Sequence, residues 1–111
     1  MHDMFEEGID LFNAANWYDA HEVWEDLWRE TQGEARLFYQ GLIQIAVGLH
    51  HIKNGNFRGG RRVLERGKAK LADYPPNYCG IDNQRLQQDL LGAASQAPLP
   101  PMRIRRLKPE R

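Results

Sequence analysis

Cysteine is almost absent from this sequence, and that absence removes whole classes of protein. Cys79 stands alone among the 111 residues, which excludes an internal disulfide framework and a cysteine-rich zinc module. A long hydrophobic run is missing too, since the longest apolar stretch, residues 41–49, is interrupted by Gln44 and is far too short to span a bilayer. The N-terminal residues have neither the basic nor the apolar region of a signal peptide. We therefore expect a cytoplasmic protein with no membrane contact.

Net charge is also missing, but its absence hides a strong separation of charge along the chain. Residues 1–34 carry ten acidic groups and one basic group, whereas residues 35–111 carry fourteen basic and five acidic groups. Such asymmetry can mark a nucleic-acid-binding face, or two halves that attract each other within one molecule or across a dimer. We favour the second interpretation, because no aromatic interleaving or known nucleic-acid motif accompanies the basic residues. The expected partner is a second copy or another protein, with nucleic acid as the weaker alternative.

What the sequence does contain is helical periodicity. A hydrophobic fraction of 41% in 111 residues fits one packed domain, and no segment of the first 96 residues alternates like a strand. Capping and breaking residues divide this part of the chain into five predicted helices. Their approximate ranges are 3–15, 17–32, 34–53, 57–72 and 82–96. The third is apolar almost all round, so it should be the buried central helix.

The C-terminal segment differs in composition from the rest. Residues 1–96 are predicted to form the single helical domain, and residues 97–111 a proline-rich basic tail. In this tail Met102 and Ile104 alternate with Arg103 and Arg105, as expected if one side lies on the bundle and the other in water.

A faint internal repeat relates residues that are 40 positions apart. Each copy has the pattern helix, Asn-aromatic turn, helix, which is typical of tetratricopeptide-type hairpins. The aligned pairs include Gly8 with Gly48, Asn16 with Asn56, Trp17 with Phe57 and Glu25 with Glu65. The predicted fold is therefore an all-α bundle of about five helices, built from two tetratricopeptide-like hairpins with an appended C-terminal helix and an extended tail.

Polar side chains on otherwise apolar helix faces form the candidate functional site. His21 and Glu25 lie one turn apart, at the edge of the tryptophan-bearing face of helix 2. Gln44 and His51 share one face of helix 3. Burying such groups without partners costs roughly 1–3 kcal/mol each, so they must bond to one another or take part in chemistry.

Two glycines predict where these groups meet. Gly41 and Gly48 share the face of Gln44 and His51, and their lack of a side chain would let another backbone approach closely. Helix 2 is the expected neighbour. Its approach would bring the polar groups of helix 3 opposite those of helix 2.

Three hypotheses for this cluster stay open. The first is a hydrogen-bond network that fastens helix 2 to helix 3. The second is a metal site, for which imidazole and carboxylate ligands suit zinc, manganese or iron; its ligands would be His21, Glu25 and His51, with Gln44 or Glu22 assisting. The third is acid–base catalysis by His21, oriented by Glu25. A zinc protease of the His-Glu-x-x-His class is excluded, because Glu25 stands where the second histidine is required.

Basic residues on helix 4 and in the tail form a second feature. Such a stripe could hold phosphates, or it could be solvated or paired with Asp19, Asp26 and Glu30. The residues are Arg58, Arg61, Arg62, Arg66, Lys68 and Lys70 on the helix, and Arg103, Arg105, Arg106, Lys108 and Arg111 in the tail.

Four motifs in order resemble the bacterial and archaeal domain-of-unknown-function family 309. They are Gly8-x-x-Leu11-Phe12-Asn13, Tyr18-x-Ala20-His21-Glu22-x-x-Glu25-x-x-Trp28, Gln40-Gly41-Leu42-Ile43-Gln44-x-Ala46 and His51-x-x-x-Gly55-Asn56-x-x-Gly59. The resemblance covers about residues 5–74. It implies a small all-helical bundle and draws attention to the region around His21, Glu25, Gln44 and His51, but it implies no reaction.

Two classes of function follow. The first is a helical structural or binding module with a polar cluster between helices 2 and 3. The alternative is a small metal-assisted or His-dependent, hydrolase-like enzyme. In the alternative the catalytic candidates are His21 and Glu25, the binding candidates are Glu22, Gln44, His51 and Trp28, and the cofactor would be a divalent metal on His21, Glu25 and His51.

Overall fold

Five α-helices follow one another in the computed structural model, which describes residues 3–93 and 99–107. They are α1 (Met4–Asn13), α2 (Trp17–Glu30), α3 (Ala35–Lys53), α4 (Phe57–Ala72) and α5 (Asn83–Leu90), with a short 3₁₀ helix (Tyr78–Gly80) before α5. The all-α bundle predicted from the sequence is confirmed. Among the described residues, no helix combines the length and apolar character needed to cross a membrane.

The same turn joins α1 to α2 and α3 to α4. In each turn one residue has a left-handed backbone, Ala15 with φ 63° and Gly55 with φ 90°. The next amide donates to the carbonyl oxygen five residues earlier, at 2.9 Å from Asn16 and 2.8 Å from Asn56. The 40-residue repeat therefore has a structural counterpart in its two turns. A closer likeness to tetratricopeptide hairpins stays a prediction.

The central position predicted for α3 is confirmed. Its side chains Phe38, Leu42, Ile45 and Leu49 are completely buried, and α2 and α4 both pack against this helix. Almost every face of α3 thus removes apolar surface from water, the main favourable contribution to folding.

The α1–α2 contact is built around one tryptophan. Trp24 is completely buried, and its indole Nε1 donates to the carbonyl oxygen of Phe5 at 3.2 Å. Gly8 provides the space, because a Cβ at that position would stand 2.0 Å from the indole nitrogen.

The prediction that the glycines of α3 face helix 2 is wrong. Gly41 and Gly48 face α4 and not α2. A Cβ on Gly41 would stand 3.2 Å from the carbonyl oxygen of Gly67, and one on Gly48 would stand 2.9 Å from that of Gly60. The physical reason is that α4 carries its own two glycines seven residues apart, so the two backbones approach closely at both ends of their contact.

The end of α5 also differs from the prediction. The helix stops at Leu90, because Leu91 has an extended backbone with ψ 123° and Gly92 has a positive φ of 76°. The predicted end near residue 96 and the predicted start of the tail at residue 97 lie outside the described residues.

The described part of the tail packs on the bundle as its alternation predicted. Met102 and Ile104 are buried, whereas Arg103 is exposed. The side chain of Asn13 holds both backbone groups of Ile104, since its Nδ2 donates to the carbonyl oxygen at 3.0 Å and its Oδ1 accepts from the amide at 2.7 Å. One residue of α1 thereby substitutes for a neighbouring strand.

Charge fixes the tail as well. Arg106 donates to Glu6 and to Asp10, both on α1, and the distance to Asp10 is 2.8 Å. One basic residue of the second half of the chain, Arg106, therefore pairs with acidic residues of the first half within one molecule, which is part of what the charge separation predicted. The division into a domain of residues 1–96 and a separate tail stays a prediction.

Candidate functional site

A groove between α2 and α3 contains part of the predicted site. It has a volume of about 210 Å³, and Glu25 and Trp28 line it from α2 while Gln40, Ile43 and Gln44 line it from α3. We call it the α2–α3 groove. Two of the predicted polar residues, Glu25 and Gln44, therefore do lie across from each other.

His21 is fixed by its own helix. Its Nδ1 lies 2.8 Å from the carbonyl oxygen of Tyr18, and because a carbonyl only accepts, this nitrogen is the protonated one. The other ring nitrogen, Nε2, lies 3.6 Å from Glu25 Oε2, which is longer than a hydrogen bond. The Glu25 carboxylate instead accepts a hydrogen bond of 3.0 Å from Arg29. The His21–Glu25 pair is thus close but not directly bonded.

Gln44 and Trp28 have partners that the sequence did not reveal. The Gln44 side-chain oxygen accepts from Lys70 Nζ of α4 at 2.9 Å, so it ties α3 to α4. The guanidinium of Arg36 lies 4.0 Å from the centre of a Trp28 ring and also donates to two carbonyl oxygens at the end of α2, at 2.8 and 3.0 Å. Both contacts are structural in character, because they satisfy groups within the bundle.

Of the two adjacent histidines on α3, it is His50 and not His51 whose ring contacts Tyr18 on α2. The Tyr18 ring packs between two imidazoles, with 5.1 Å between its centre and that of His21 and 5.3 Å to that of His50. His51 contacts His50 at 6.1 Å, and Glu22 is exposed. We name Tyr18, His21 and His50 the Tyr18 cluster. The spacing of three residues between Tyr18 and His21 was the sequence signal for it.

The described residues do not assemble the predicted metal ligands. Within residues 3–93 and 99–107, no three side chains of the His, Cys, Asp or Glu type come close enough together to hold a metal ion. His21, Glu25 and His51 therefore do not form a ligand set, and a divalent metal stays a prediction without geometric support.

A larger hollow lies away from these residues. It measures about 660 Å³ and is bounded by α4 and α5, with Tyr74, Gln87 and Leu91 among its lining residues. None of the candidate residues lines it, so its size does not bear on the site described above.

A family model matches the part of the chain that contains the residues described above. The family model described as Domain of unknown function (DUF309) matches residues 5–63, more than half of the chain. This chain belongs to the DUF309 family. The resemblance predicted from the motifs is thereby confirmed, and the matched range covers α1 from Phe5 onward, all of α2 and α3, and the start of α4.

Two relatives of this DUF309 chain are described as uncharacterised proteins. A protein of Aquifex aeolicus (strain VF5) is 32% identical over 81 residues, which are 72% of this chain and 24% of that protein. The protein YpuF of Bacillus subtilis (strain 168) is 28% identical over 57 residues, 50% of this chain and 33% of that protein. The chain thus spans only about a quarter to a third of the length of these relatives.

Proposed function

We propose that this DUF309 chain is an interaction module that binds a positively charged segment of a protein partner on the exposed side of α2. The observation that carries the proposal is the setting of Tyr18, a residue that is 50% exposed although its ring contacts two imidazoles. An aromatic ring held in place at a surface is a contact for a lysine or arginine side chain through its π face.

Carboxylates beside the ring favour the same ligand. Glu22 lies one helical turn after Tyr18 and is exposed, and no described residue forms an ion pair or hydrogen bond with its side chain. Glu25 lies a further turn along, at the α2–α3 groove. A cation above Tyr18 would therefore find a free carboxylate within reach, and charge-assisted hydrogen bonds are stronger than neutral ones.

The internal bonding of the predicted cluster supports binding over catalysis. His21 is engaged with a backbone carbonyl, Glu25 with Arg29 and Gln44 with Lys70. Two of these contacts lie within α2 and the third ties α3 to α4. They engage the polar groups of the cluster inside the bundle, and they leave the neighbouring Tyr18 and Glu22 as the groups that face outward.

A peptide titration tests the proposal. We would add a lysine- and arginine-rich helical peptide to the ¹⁵N-labelled protein and follow amide shifts, with a peptide of equal length carrying glutamate in place of each basic residue as a control. Only the basic peptide should shift the amides around Tyr18 and Glu22, and salt should weaken the effect.

Matched variants sharpen this test. Tyr18→Ala and Glu22→Gln should each weaken binding roughly two- to fivefold, since one contact of this kind contributes about 0.5–1 kcal/mol at an exposed site. Asp73→Asn changes an exposed carboxylate at the end of α4 and should leave the affinity unchanged. Equal binding by all three variants, or none by the wild type at low salt, would refute the module as proposed.

The enzyme hypothesis has one observation in its favour. The Tyr18 carbonyl oxygen fixes Nδ1 of His21 as the protonated nitrogen and leaves Nε2 as the nitrogen that can accept a proton, 3.6 Å from Glu25 Oε2. Its metal-assisted form is tested by elemental analysis of tag-free protein after incubation with zinc, manganese or ferrous ions. Stoichiometric metal that is retained by the wild type and lost in His21→Ala would support it.

A further inference from the structure

We propose that this chain associates with a second copy of itself in a head-to-tail manner, with the acidic side of α2 in one copy on the arginine side of α4 in the next. The inference rests on the proposed function in one respect, namely that α2 offers a binding surface for positive charge. The acidic face is Asp19, Glu22, Asp26 and Glu30. The arginine face is Arg58, Arg61, Arg62 and Arg66.

The arginine face is conspicuous because its members lack partners. All four are exposed, and none forms an ion pair or hydrogen bond with any residue in the described part of the chain. Apart from Arg103 in the tail, the other described arginines do bond to carboxylates or carbonyl oxygens. These are Arg29, Arg36, Arg85, Arg105 and Arg106.

Two alternatives for local neutralisation do not apply. The pairing of helix 4 with Asp19, Asp26 and Glu30 does not occur among the described residues, and Asp26 bonds to Arg29 of its own helix at 3.0 Å. Glu65 lies on the same side of α4 as the arginines, but its carboxylate bonds to Lys68 at 2.9 Å.

The acidic face is the counterpart of the arginine face. Its four residues are exposed and follow one another at intervals of three or four positions, so they form one stripe along α2. Of these four, only Asp26 has a bonded partner within the described residues. One side of the molecule therefore presents unpaired carboxylates and another presents unpaired guanidinium groups.

The two faces are comparable in extent and share equivalent positions of the repeat. At a rise of about 1.5 Å per residue, the acidic face (residues 19–30) extends along roughly 17 Å of helix and the arginine face (residues 58–66) along roughly 12 Å. The 40-residue repeat aligns Glu22 with Arg62 and Asp26 with Arg66. Equivalent helices of the two hairpins thus carry opposite charge at these two positions, which favours a contact between the first hairpin of one copy and the second hairpin of another.

A second copy fits this charge pattern better than a nucleic acid does. A polyanion would neutralise the arginine face but would be repelled by the acidic face of the same molecule. A second copy neutralises both. Because the two contacting surfaces differ, each added copy leaves one free face of each kind, and association continues as an open filament or until the copies close into a ring.

Charge reversal with rescue tests the inference. We would measure the mass in solution by light scattering and sedimentation at about 50 mM and about 500 mM salt. The wild type should associate at low salt and dissociate at high salt. The double variants E22R/D26R and R62E/R66E should each weaken self-association by tenfold or more, since attraction becomes repulsion in both pairs. Mixing the two variants should restore association at equal stoichiometry.

Controls keep the outcomes distinct. R103E reverses an exposed, unpaired arginine away from the arginine face and should leave the association unchanged, and circular dichroism should show all variants folded. A wild type that stays monomeric at low salt, or two reversed variants that do not combine, would overturn the inference. So would a monomer that binds DNA through Arg62 and Arg66, which would assign the arginine face to nucleic acid.

The same experiments separate this inference from the proposed function. If the basic peptide binds at Tyr18 but the protein remains monomeric, the binding module stands and self-association is overturned. Suppose instead that the protein associates, that mixing the two charge-reversed variants restores association, and that no basic peptide binds. Self-association then stands, and binding of a basic segment at Tyr18 is refuted.

Discussion

The carbonyl oxygen of Gly41 lies 2.7 Å from the point where a Cβ on Gly67 would stand. At the other end of the same contact, a Cβ on Gly60 would stand 2.7 Å from the carbonyl oxygen of Gly48. Both neighbours are backbone atoms, which cannot rotate away as a side chain can. A Cβ at Gly48, Gly60 or Gly67 would stand under 3.0 Å from a backbone oxygen of the other helix, and one at Gly41 would stand 3.2 Å from such an oxygen, so these glycines set how closely α3 and α4 approach.

Gly67→Ala should destabilise the protein for this reason. Alanine favours a helix over glycine by up to about 1 kcal/mol, but forcing the helices apart in a packed core costs about 1–3 kcal/mol or more. We expect a net loss in the free energy of unfolding, measured by urea denaturation. The control is Ala69→Gly, at an exposed position of the same helix, which should cost only about 1 kcal/mol. A stabilised Gly67→Ala protein would show that the helices can move apart without penalty.

Asn83→Ala should remove a buried connection between α4 and α5. Asn83 is completely buried, and its Nδ2 donates to the carbonyl oxygens of Leu71 at 3.0 Å and Pro75 at 3.1 Å. Without the amide each of these oxygens loses one hydrogen bond and keeps one from a backbone amide, so we expect a loss of about 0.5–1.5 kcal/mol for each bond removed. The neighbouring Gln84→Ala, at an exposed position, should change the midpoint of thermal unfolding little. Similar effects of the two substitutions would mean that the buried bonds contribute nothing.

Asn13→Ala should loosen the tail without unfolding the bundle. The Asn13 side chain makes both hydrogen bonds to the backbone of Ile104, and an alanine there can make neither. We expect faster hydrogen exchange at the Ile104 amide, while the exchange of core amides in α3 stays slow. Asn77→Ala, at an exposed position outside these contacts, serves as the control and should leave the Ile104 amide protected.

The attachment of the tail should also depend on acid pH. Burial raises the pKa of the Asp89 carboxyl, but hydrogen bonds from Arg85 and Arg105 outweigh this effect and hold the pKa below its ordinary value. A lowered pKa in the folded state means that the contribution to stability is complete above the unfolded-state pKa of about 3.9 and is lost as the pH falls through the folded-state pKa.

Asp89→Asn provides the measurement for this dependence. The variant should be less stable than the wild type at neutral pH, and the difference should shrink as the pH is lowered below about 4. Denaturation curves collected across the acid range would show it. A stability difference that stays constant over that range would contradict the pairing of Asp89 with the two arginines.

Much of the helical layout could be predicted because it depends on local rules. Asp3 accepts from the Phe5 amide and Asn56 from the Gly59 amide, as capping residues do, and the predicted bounds of helices 3 and 4 are nearly those observed. The neighbour of Gly41 could not be predicted, because periodicity identifies a face and not what covers it. The matching spacing of Gly60 and Gly67 was the signal that would have pointed to α4.

In the candidate site, too, contacts within one helix could be predicted and contacts between helices could not. The closeness of His21 to Glu25 follows from their spacing on one helix. The partners of the other groups come from distant parts of the chain: Lys70 reaches Gln44 from α4, and His50 meets Tyr18 across two helices. No local rule identifies such contacts, since they depend on how the helices are rotated against one another.

The turn that joins α1 to α2 has a consequence for how the molecule opens. Ala15 adopts there a left-handed backbone that Gly55 adopts in the equivalent turn of the second hairpin, and a residue with a Cβ resists this conformation by about 1–2 kcal/mol. Strain of that kind raises the energy of the native hairpin and leaves its open form untouched. The N-terminal hairpin is accordingly the one in which thermal fluctuations should first separate two helices.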